Sequence, residues 1–215
     1  MKKWRQKIVD WIHAVDQKII IGISGHGAAG KTTFVNDLKR ETQPTISVLN
    51  TDPYIIGSKL RKHAQIEYEY GGRLHRSKMT ACHPSAHFVE GLERDVRMIR
   101  DGLNFYTIET NYRKSELFQS NNEIIIVEGM TVAFMDPALF DLAIYFYTDD
   151  DTEFKRRRVR DLTERGGDLT SLEQSHEQRR IQYWTFMHER SRHFDLIVQN
   201  SAEQEIVEKL NFPRP

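Results

Sequence analysis

The 215-residue sequence contains a single cysteine, Cys82, which excludes an internal disulfide and suits a reducing compartment, so we expect a cytoplasmic protein. No apolar run approaches the ~18–20 residues that a membrane-spanning helix needs, and the N-terminal residues lack the apolar segment of a signal peptide. Net charge is absent too, because 31 Lys and Arg balance 31 Asp and Glu. Nucleic acids and anionic membranes attract proteins through excess positive charge, so neither is an expected partner.

Repeats, low-complexity tracts and Pro/Gly/Ser-rich linkers are also absent, which favours one continuous domain over residues 1–215. Within it we expect an N-terminal helix in residues 1–17, a substrate-side segment in residues 53–90, and a lid with its following helix in residues 152–192. The apolar face of the first helix leaves packing against a second copy, a homo-oligomer, open as an alternative.

Short apolar runs typical of buried parallel strands alternate with helical patterns. These runs are Ile19–Ile23, Ile46–Leu49, Ile124–Val127, Leu142–Tyr147 and Leu196–Val198. The alternation predicts an α/β fold with ligands at the carboxyl ends of its strands. Two capping patterns, Ser201 with Gln204 and Asp150 with Glu153, predict that further helices start there.

A glycine-rich segment follows the first predicted strand and reads G-H-G-A-A-G-K-T-T over residues 25–33. It fits the P-loop pattern G-x-x-x-x-G-K-[ST], in which backbone amides and a helix N-terminus hold a phosphate chain. Lys31 is expected to reach the β- and γ-phosphates and Thr32 to ligate Mg²⁺, while His26 is interpreted as a variable position. The predicted nucleotide-binding residues are Gly25, Gly27, Ala28, Ala29, Gly30, Lys31, Thr32 and Thr33.

The same glycines also satisfy the dinucleotide fingerprint G-x-G-x-x-G, with Asp52 at a suitable distance to bind a ribose hydroxyl. Glycine spacing therefore leaves a nicotinamide-dependent oxidoreductase as an alternative. The cation and hydroxyl of Lys31 and Thr32 favour the P-loop, because they serve a phosphate and a metal.

Two carboxylates follow predicted strands. Glu128 ends the strand Ile124–Val127 and is a candidate for the metal side of the site. Asp52 follows the second strand and is a candidate general base that accepts the proton of an attacking hydroxyl.

The segment Lys155–Gly166 contains six basic and two acidic residues on a predicted helix. Arg157 and Arg160 lie three residues apart and therefore share a helical face. Such a cluster can neutralise charge on a phosphoryl group in transfer, which predicts an arginine-rich lid.

Together these segments resemble the uridine kinase and phosphoribulokinase family of P-loop kinases, most closely its uridine kinase-like branch. The matching motifs are Gly25–Thr32, Asp52–Tyr54, Val127–Gly129, His83–Ala86 and Arg156–Gly166. The resemblance implies a five-stranded parallel sheet sandwiched by helices, with an arginine-rich helical lid. It also implies that Asp52 is the base, that Thr32 and Glu128 hold the metal, and that Arg157, Arg160 and Arg165 contact phosphate.

The acceptor side departs from the uridine kinase pattern. Cys82 stands where these enzymes usually carry the aspartate that binds ribose hydroxyls, and Asn111 stands where a histidine is usual. The predicted acceptor-side residues are Tyr54, His83, Tyr106, Asn111 and Arg113. Arg113, with Tyr54, Tyr68 and Tyr70, instead suggests another small alcohol as acceptor, with an anionic one as an option.

The sequence therefore predicts a Mg²⁺-dependent kinase that transfers the γ-phosphate of ATP, or GTP, to a hydroxyl of a nucleoside-like or other small metabolite. A regulatory P-loop NTPase is the alternative, although the chain lacks the N-K-x-D and D-x-x-G motifs of GTP-dependent switches.

Overall fold

The computed structural model describes residues 2–42, 45–165, 169–202 and 204–213. The strands in these residues are β1 (Ile19–Gly25), β2 (Ile46–Asn50), β3 (Gln65–Tyr70), β4 (Arg73–Lys78), β5 (Phe105–Tyr106), β6 (Leu117–Phe118), β7 (Ile124–Glu128), β8 (Leu142–Tyr147), β9 (Leu196–Asn200) and β10 (Glu205–Leu210). The α-helices are α1 (Lys3–Ala14), α2 (Lys31–Glu41), α3 (Ser58–Arg61), α4 (Val89–Arg100), α5 (Asp150–Arg165) and α6 (Leu169–Gln182).

Six of the strands form the central sheet, in the spatial order β10-β9-β8-β1-β7-β2. The five strands from β9 to β2 are parallel, as predicted. Glu128 at the end of β7 pairs with Ile23 of β1 on one side and with Asn50 of β2 on the other. The register therefore brings the loops that follow β1, β2 and β7 to one edge of the sheet.

The sixth strand, β10, runs antiparallel to β9 and was not predicted. The helix start predicted at Ser201 is wrong, because the Ser201 amide donates to the carbonyl of Gln204 in a turn that leads into β10. Pairing with β9 satisfies the backbone of this segment, and Val207 and Leu210 pack against the core at the same time. Tertiary contacts here outweigh a local capping pattern.

Helices cover both faces of the sheet, which confirms the predicted sandwich. Alternate strand residues point to opposite faces, so Ile21 joins one apolar cluster and Ile20 the other. Trp4 of α1 and Phe34 of α2 stack on the first face with ring centroids 5.5 Å apart. Leu92 of α4 is buried on the second face.

Two smaller pairs of strands lie outside the central sheet and were not predicted. β3 and β4 form an antiparallel hairpin that connects through Gly71 and Gly72, both with positive φ. β5 and β6 form a two-residue ladder, Phe105 with Phe118 and Tyr106 with Leu117. The hairpin comes from the segment that the sequence assigns to the substrate side.

The arginine-rich segment forms helix α5, as predicted, and Asp149 caps it. The Asp149 carboxylate accepts from the Thr152 amide at 2.7 Å, one residue earlier than the predicted cap at Asp150. The following helix α6 changes to a π-helical turn over Tyr183–Met187 and a 3₁₀ segment over His188–His193. Every helix in the described ranges is too short or too polar to cross a membrane.

Candidate active site

The glycine loop connects β1 to α2, and the Lys31 side chain lies folded within it. Gly30 adopts a left-handed conformation with φ +96°, from which α2 begins. The Lys31 ammonium is buried and donates to the carbonyl of His26 at 3.0 Å. Burial lowers the pKa of Lys31, whereas Glu128 and Asp52 raise it. A cation therefore lies inside a curved backbone at a helix N-terminus, an arrangement that binds phosphate.

Oxygen ligands for a hard cation lie beside the loop. The Thr32 hydroxyl at the start of α2 donates to the Glu128 carboxylate at 3.4 Å, as does the Asn50 amide at the same distance. The Lys31 ammonium is 4.0 Å from the other oxygen of Glu128. Burial raises the pKa of Glu128, and Lys31 partly offsets this effect. A hydroxyl and a carboxylate at the end of the loop are a donor set that fits Mg²⁺.

Asp52 lies at the same edge of the sheet, in a 3₁₀ turn over Asp52–Tyr54 directly after β2. Its backbone amide donates to the Asn50 side chain at 3.0 Å, which fixes the turn, and its own side chain is exposed. The side chain of Asn50 also contacts the Glu128 carboxylate, which lies 4.0 Å from Lys31, so the turn stands beside both groups. The structure thus brings together the predicted base, the predicted cation and the predicted metal ligands.

The arginines of α5 divide between two environments. Arg156 donates to the carbonyls of Ala28 at 3.2 Å and Asn200 at 3.0 Å, so it anchors the glycine loop.

The arginines that were predicted to contact phosphate lie further along α5. Arg157 is buried, with a guanidinium nitrogen 3.7 Å from the Glu153 carboxylate. Arg160 is half-buried and close enough to Lys31 to lower its pKa. The side chain of Arg165, also predicted to contact phosphate, lies outside the described residues.

His26 occupies a fixed place in the loop, although the sequence suggested a variable position. Its Nε2 accepts from the Thr148 amide at 2.9 Å and its Nδ1 lies 2.8 Å from the Gly27 carbonyl, so these partners assign the proton to Nδ1. The Glu153 carboxylate is 3.5 Å from the same ring nitrogen. Burial lowers the pKa of His26 to about 4, against the attraction of Glu153. The imidazole is neutral at pH 7.

Glu153 extends this contact to α6. Its carboxylate accepts from Arg180 at 2.9 Å, and Arg180 also lies 3.0 Å from Asp150. The Tyr183 ring meets His26 edge-on, with centroids 4.7 Å apart. A buried network therefore joins the glycine loop to both helices of the predicted lid region. The only sequence signal for it was the four-residue spacing of Glu153 and Arg157, because the partners just after β8 and on α6 are distant in sequence from the loop.

The predicted acceptor-side residues lie in different environments. Tyr54 is 1% exposed and its hydroxyl donates to Asp95 of α4, so it is part of the second apolar cluster. His83 begins a 3₁₀ turn, where its Nδ1 accepts from the Ser85 amide at 3.2 Å. Its ring packs edge-on against Phe186 with centroids 4.5 Å apart.

The remaining three predicted residues, Tyr106, Asn111 and Arg113, are exposed around the β5–β6 ladder. Arg113 lies 3.9 Å from Glu116 of the same loop. In the described part of the chain, no hydrogen bond or ion pair links these residues to the glycine loop. Their role in acceptor binding stays a prediction.

The environment of Cys82 is defined by Thr80 and Gln182. The Cys82 amide donates to the Thr80 hydroxyl at 3.2 Å, and Thr80 donates through both its amide and its hydroxyl to the Gln182 side-chain oxygen. The Gln182 nitrogen donates to the Ser77 hydroxyl at 3.0 Å. Burial raises the pKa of the Cys82 thiol to about 11, so this side chain is uncharged at neutral pH.

Comparisons with known proteins agree with this geometry. The sequence matches the model of the phosphoribulokinase / uridine kinase family over residues 20–207. It is 28% identical to a uridine kinase of Lactobacillus helveticus over 205 residues, covering 89% of this chain and 91% of the relative. It is 30% identical to a uridine kinase of Ligilactobacillus salivarius over 204 residues, covering 89% of each. The phosphoribulokinase structure from Rhodobacter spheroides has the same fold, with a TM-score of 0.61, 15% identity, and coverage of 87% of this chain and 71% of that one.

Proposed function

Because the chain belongs to the phosphoribulokinase and uridine kinase family, we propose that it transfers the γ-phosphate of ATP to a hydroxyl group of a small metabolite. The chain is a phosphotransferase that uses an alcohol group as acceptor. One observation carries the proposal: the Lys31 ammonium lies 4.0 Å from the Glu128 carboxylate, which also accepts at 3.4 Å from Asn50, the residue that holds the turn of Asp52. A cation, a metal ligand and a base are the three groups that phosphoryl transfer requires.

The loop amides and Lys31 bind the phosphate chain. Lys31 now donates to the His26 carbonyl, and a phosphate oxygen offers a stronger, charged acceptor for the same ammonium. The backbone amides at the start of α2 point in the same direction as the positive end of the helix dipole. This part of the site recognises a nucleoside triphosphate by its phosphates and gives no preference between ATP and GTP.

Thr32 and Glu128 would hold Mg²⁺. Bound there, the ion neutralises negative charge on the phosphates. Glu128 supplies a carboxylate from the end of a buried strand, and Thr32 supplies a neutral oxygen from the first turn of α2. The hydrogen bond between them already orients both oxygens towards each other.

Asp52 accepts the proton of the acceptor hydroxyl. Its exposed carboxylate projects from a turn that is tied to Asn50, so the acid is held in place while its oxygens stay accessible. Arg157 and Arg160 provide positive charge on α5, the helix that contacts the glycine loop through Arg156. They stabilise the charge on the transferring group and exclude water when α5 closes over it, so little ATP is hydrolysed without an acceptor.

An acceptor screen tests this function directly. Purified enzyme is incubated with ATP, Mg²⁺ and a panel of nucleosides, vitamins, sugars and short-chain alcohols, and acceptor-dependent ADP release is measured. Lys31→Ala should abolish transfer. Asp52→Asn should keep ATP binding close to wild type and lower kcat at least 100-fold, within the range that general-base catalysis supplies.

Lys39→Ala is the matched control, because Lys39 is an exposed lysine in the last turn of α2. It should behave as the wild type. A fully active Lys31→Ala enzyme contradicts the proposal. ATP hydrolysis that rises with a protein partner, with no acceptor phosphorylated, would indicate a regulatory NTPase instead.

A further inference from the structure

A polar cavity of about 390 Å³ lies between the β3–β4 hairpin and helix α6. Its lining includes three cations and several neutral polar groups, and none of the lining residues is acidic. They include Lys62, Arg76, Lys78, Gln65, Ser77 and Gln178. This volume falls in the range of small-molecule sites. The lining is suited to an anion, since every charge in it has the same sign.

The positive charge of this cavity is poorly compensated by the protein. Arg76 has one acidic neighbour, Glu67, at 3.7 Å, and both side chains are more than half exposed, so this pair is weak. In the described ranges, neither Lys62 nor Lys78 forms an ion pair. An oxyanion that enters the cavity therefore meets two lysines that do not have to leave an ion-pair partner first, and an arginine whose existing pair is weak.

The wall of the cavity is tied by hydrogen bonds to the segment that contains Cys82. Ser77, which lines the cavity, accepts from Gln182, and Gln182 accepts from Thr80. Thr80 in turn accepts from the Cys82 amide. These contacts join the cavity wall to the position where the sequence predicts acceptor binding.

The charges near Cys82 are of both signs, since Arg179 and Arg157 lower the pKa of its thiol and Glu153 raises it. Burial lowers the pKa of the Arg61 guanidinium, and the neighbouring Arg179 lowers it further. The Nε of Arg179 is buried and has no hydrogen-bond partner among the described residues. Cys82 itself carries no charge. Arg179 therefore adds a further positive group on the side of Cys82.

Resting on the proposed kinase function, we propose that the phosphate acceptor carries an oxyanion, a carboxylate or a phosphate, that binds in the cavity of Lys62, Arg76 and Lys78 while its hydroxyl faces Asp52. A neutral nucleoside leaves Lys62 and Lys78 without an ion-pair partner among the described residues. The aromatic rings nearby are engaged with one another, since Phe186 meets both Tyr68 and His83 edge-on.

Matched pairs of acceptors test this inference. Each pair keeps the hydroxyl skeleton and differs in the anionic group: glycerol and glycerate, pantothenol and pantothenate, ribose and ribose 5-phosphate, with uridine as a neutral reference. We expect the anionic member of at least one pair to have a kcat/KM at least 100-fold above that of its neutral partner and of uridine. Carboxylate and phosphate members distinguish the two sources of the oxyanion.

Variants then locate the anion. Lys78→Met and Arg76→Gln should each raise the KM for the anionic acceptor about 10-fold or more, with kcat, the KM for ATP and the turnover of neutral acceptors unchanged. Lys39→Met, on α2, is the control and should match the wild type. Unaltered acceptor kinetics in both cavity variants would overturn the inference.

The outcomes separate this inference from the proposed function. If uridine is phosphorylated at least as well as every anionic acceptor, the inference is wrong and the kinase function stands. If no compound is phosphorylated, the proposed function fails, and calorimetric titration of the anionic compounds decides the inference. Binding that Lys78→Met weakens supports an anion site, and absence of such binding overturns it.

Discussion

The imidazole of His26 in the glycine loop lies 3.5 Å from the carboxylate of Glu153 in α5, and both side chains are about 1% exposed. The same oxygen of Glu153 also accepts from Arg180 of α6 at 2.9 Å. The loop that is expected to hold the nucleotide thus shares a buried contact with the helix that carries Arg157 and Arg160. A change in the position of α5 must be accommodated by the loop, because the contact is desolvated and fully packed.

His26 is therefore expected to position the loop. His26→Ala removes the acceptor for the Thr148 amide and leaves a cavity, so the free energy of unfolding should fall by about 2–4 kcal/mol. The KM for ATP should rise about 10-fold, with little change in the KM for the acceptor. Initial-rate kinetics and chemical denaturation measure both effects.

His26→Gln is the rescue variant, because its side-chain oxygen can accept from the Thr148 amide. It should recover at least half of the loss in both stability and ATP affinity. If His26→Gln and His26→Ala are equally impaired in ATP binding at equal stability, the hydrogen bond to Thr148 is not what positions the loop.

Two buried histidines should make the fold sensitive to mild acid. Burial lowers the pKa of His26 and of His87 to about 4, from the ordinary histidine value of 6.5. Between pH 6.5 and 4 the unfolded chain binds more protons than the folded chain, so stability falls as the pH falls through this window. Well above pH 6.5, where neither state binds these protons, the two groups contribute no pH dependence.

A comparison of denaturation midpoints across this window checks the effect. At about pH 5.5, His26→Gln should reduce the slope of unfolding free energy against pH by about 1 kcal/mol per pH unit. The reason is that the variant lacks one of the two histidines that take up a proton on unfolding. The partners that face His26 are Glu153, Arg180 and Lys31, and the variant leaves all three in place. An unchanged slope would mean that His26 does not titrate in this window.

The parallel sheet and the P-loop were predictable because they depend on local patterns. A strand buried on both faces is a short apolar run, as in Ile19–Ile23, and the P-loop is a contiguous motif. The β3–β4 hairpin has weaker local signals, since its exposed face carries charged residues such as Glu67 and Arg76. β10 forms by pairing with the edge of β9, and no pattern within Glu205–Leu210 indicates that partner.

The residues of the site divide in the same way, into those with a local sequence pattern and those that depend on contacts between distant segments. Asp52, Glu128 and Lys31 follow strands whose carboxyl ends must meet in a parallel sheet, so their proximity was predictable. The contact of His26 with Thr148 joins residues 122 positions apart, and that of Arg156 with Ala28 joins residues 128 apart. Such contacts depend on how α5 packs over the loop, which single-sequence patterns do not encode.

Arg156 should matter for nucleotide affinity through the loop backbone. Arg156→Ala removes the donor to the carbonyls of Ala28 and Asn200, so the loop loses an anchor opposite His26. We expect the KM for ATP to rise 5- to 20-fold, equivalent to about 1–2 kcal/mol, with kcat within about threefold of wild type. Arg158→Ala, an exposed arginine of the same helix, is the control and should leave the KM for ATP unchanged. Equal effects of the two variants would point to the overall charge of α5 instead.

Tyr54 is expected to contribute to the stability of the fold and not to acceptor binding. Its hydroxyl donates to the buried carboxylate of Asp95, and burial and Asp95 together raise its pKa well above the usual range. Tyr54→Phe keeps the ring and removes this hydrogen bond, so unfolding free energy should fall by about 1–3 kcal/mol. The KM for the acceptor, measured below the lowered melting temperature, should stay within twofold of wild type. A large rise in that KM would instead assign Tyr54 to the acceptor site.

The glycines of the P-loop should differ in what they tolerate. A Cβ on Gly25, whose φ is +138°, would lie 1.8 Å from the Phe146 carbonyl oxygen, a backbone atom of the neighbouring strand that cannot move away cheaply. A Cβ on Gly27 meets nothing within 4 Å. Gly25→Ala should therefore lower the melting temperature by 10 °C or more or prevent folding, because both the conformation and the space are unfavourable.

Gly27→Ala should fold with a melting temperature within about 2 °C of wild type, since only solvent occupies the space that its methyl group would fill in the free protein. Any loss should appear in the KM for ATP, because a methyl group there faces the region that the phosphates would occupy. Thermal melts with and without ATP separate the two effects. If Gly27→Ala is as unstable as Gly25→Ala in the absence of nucleotide, the loop is constrained by the protein at both positions and not by its ligand.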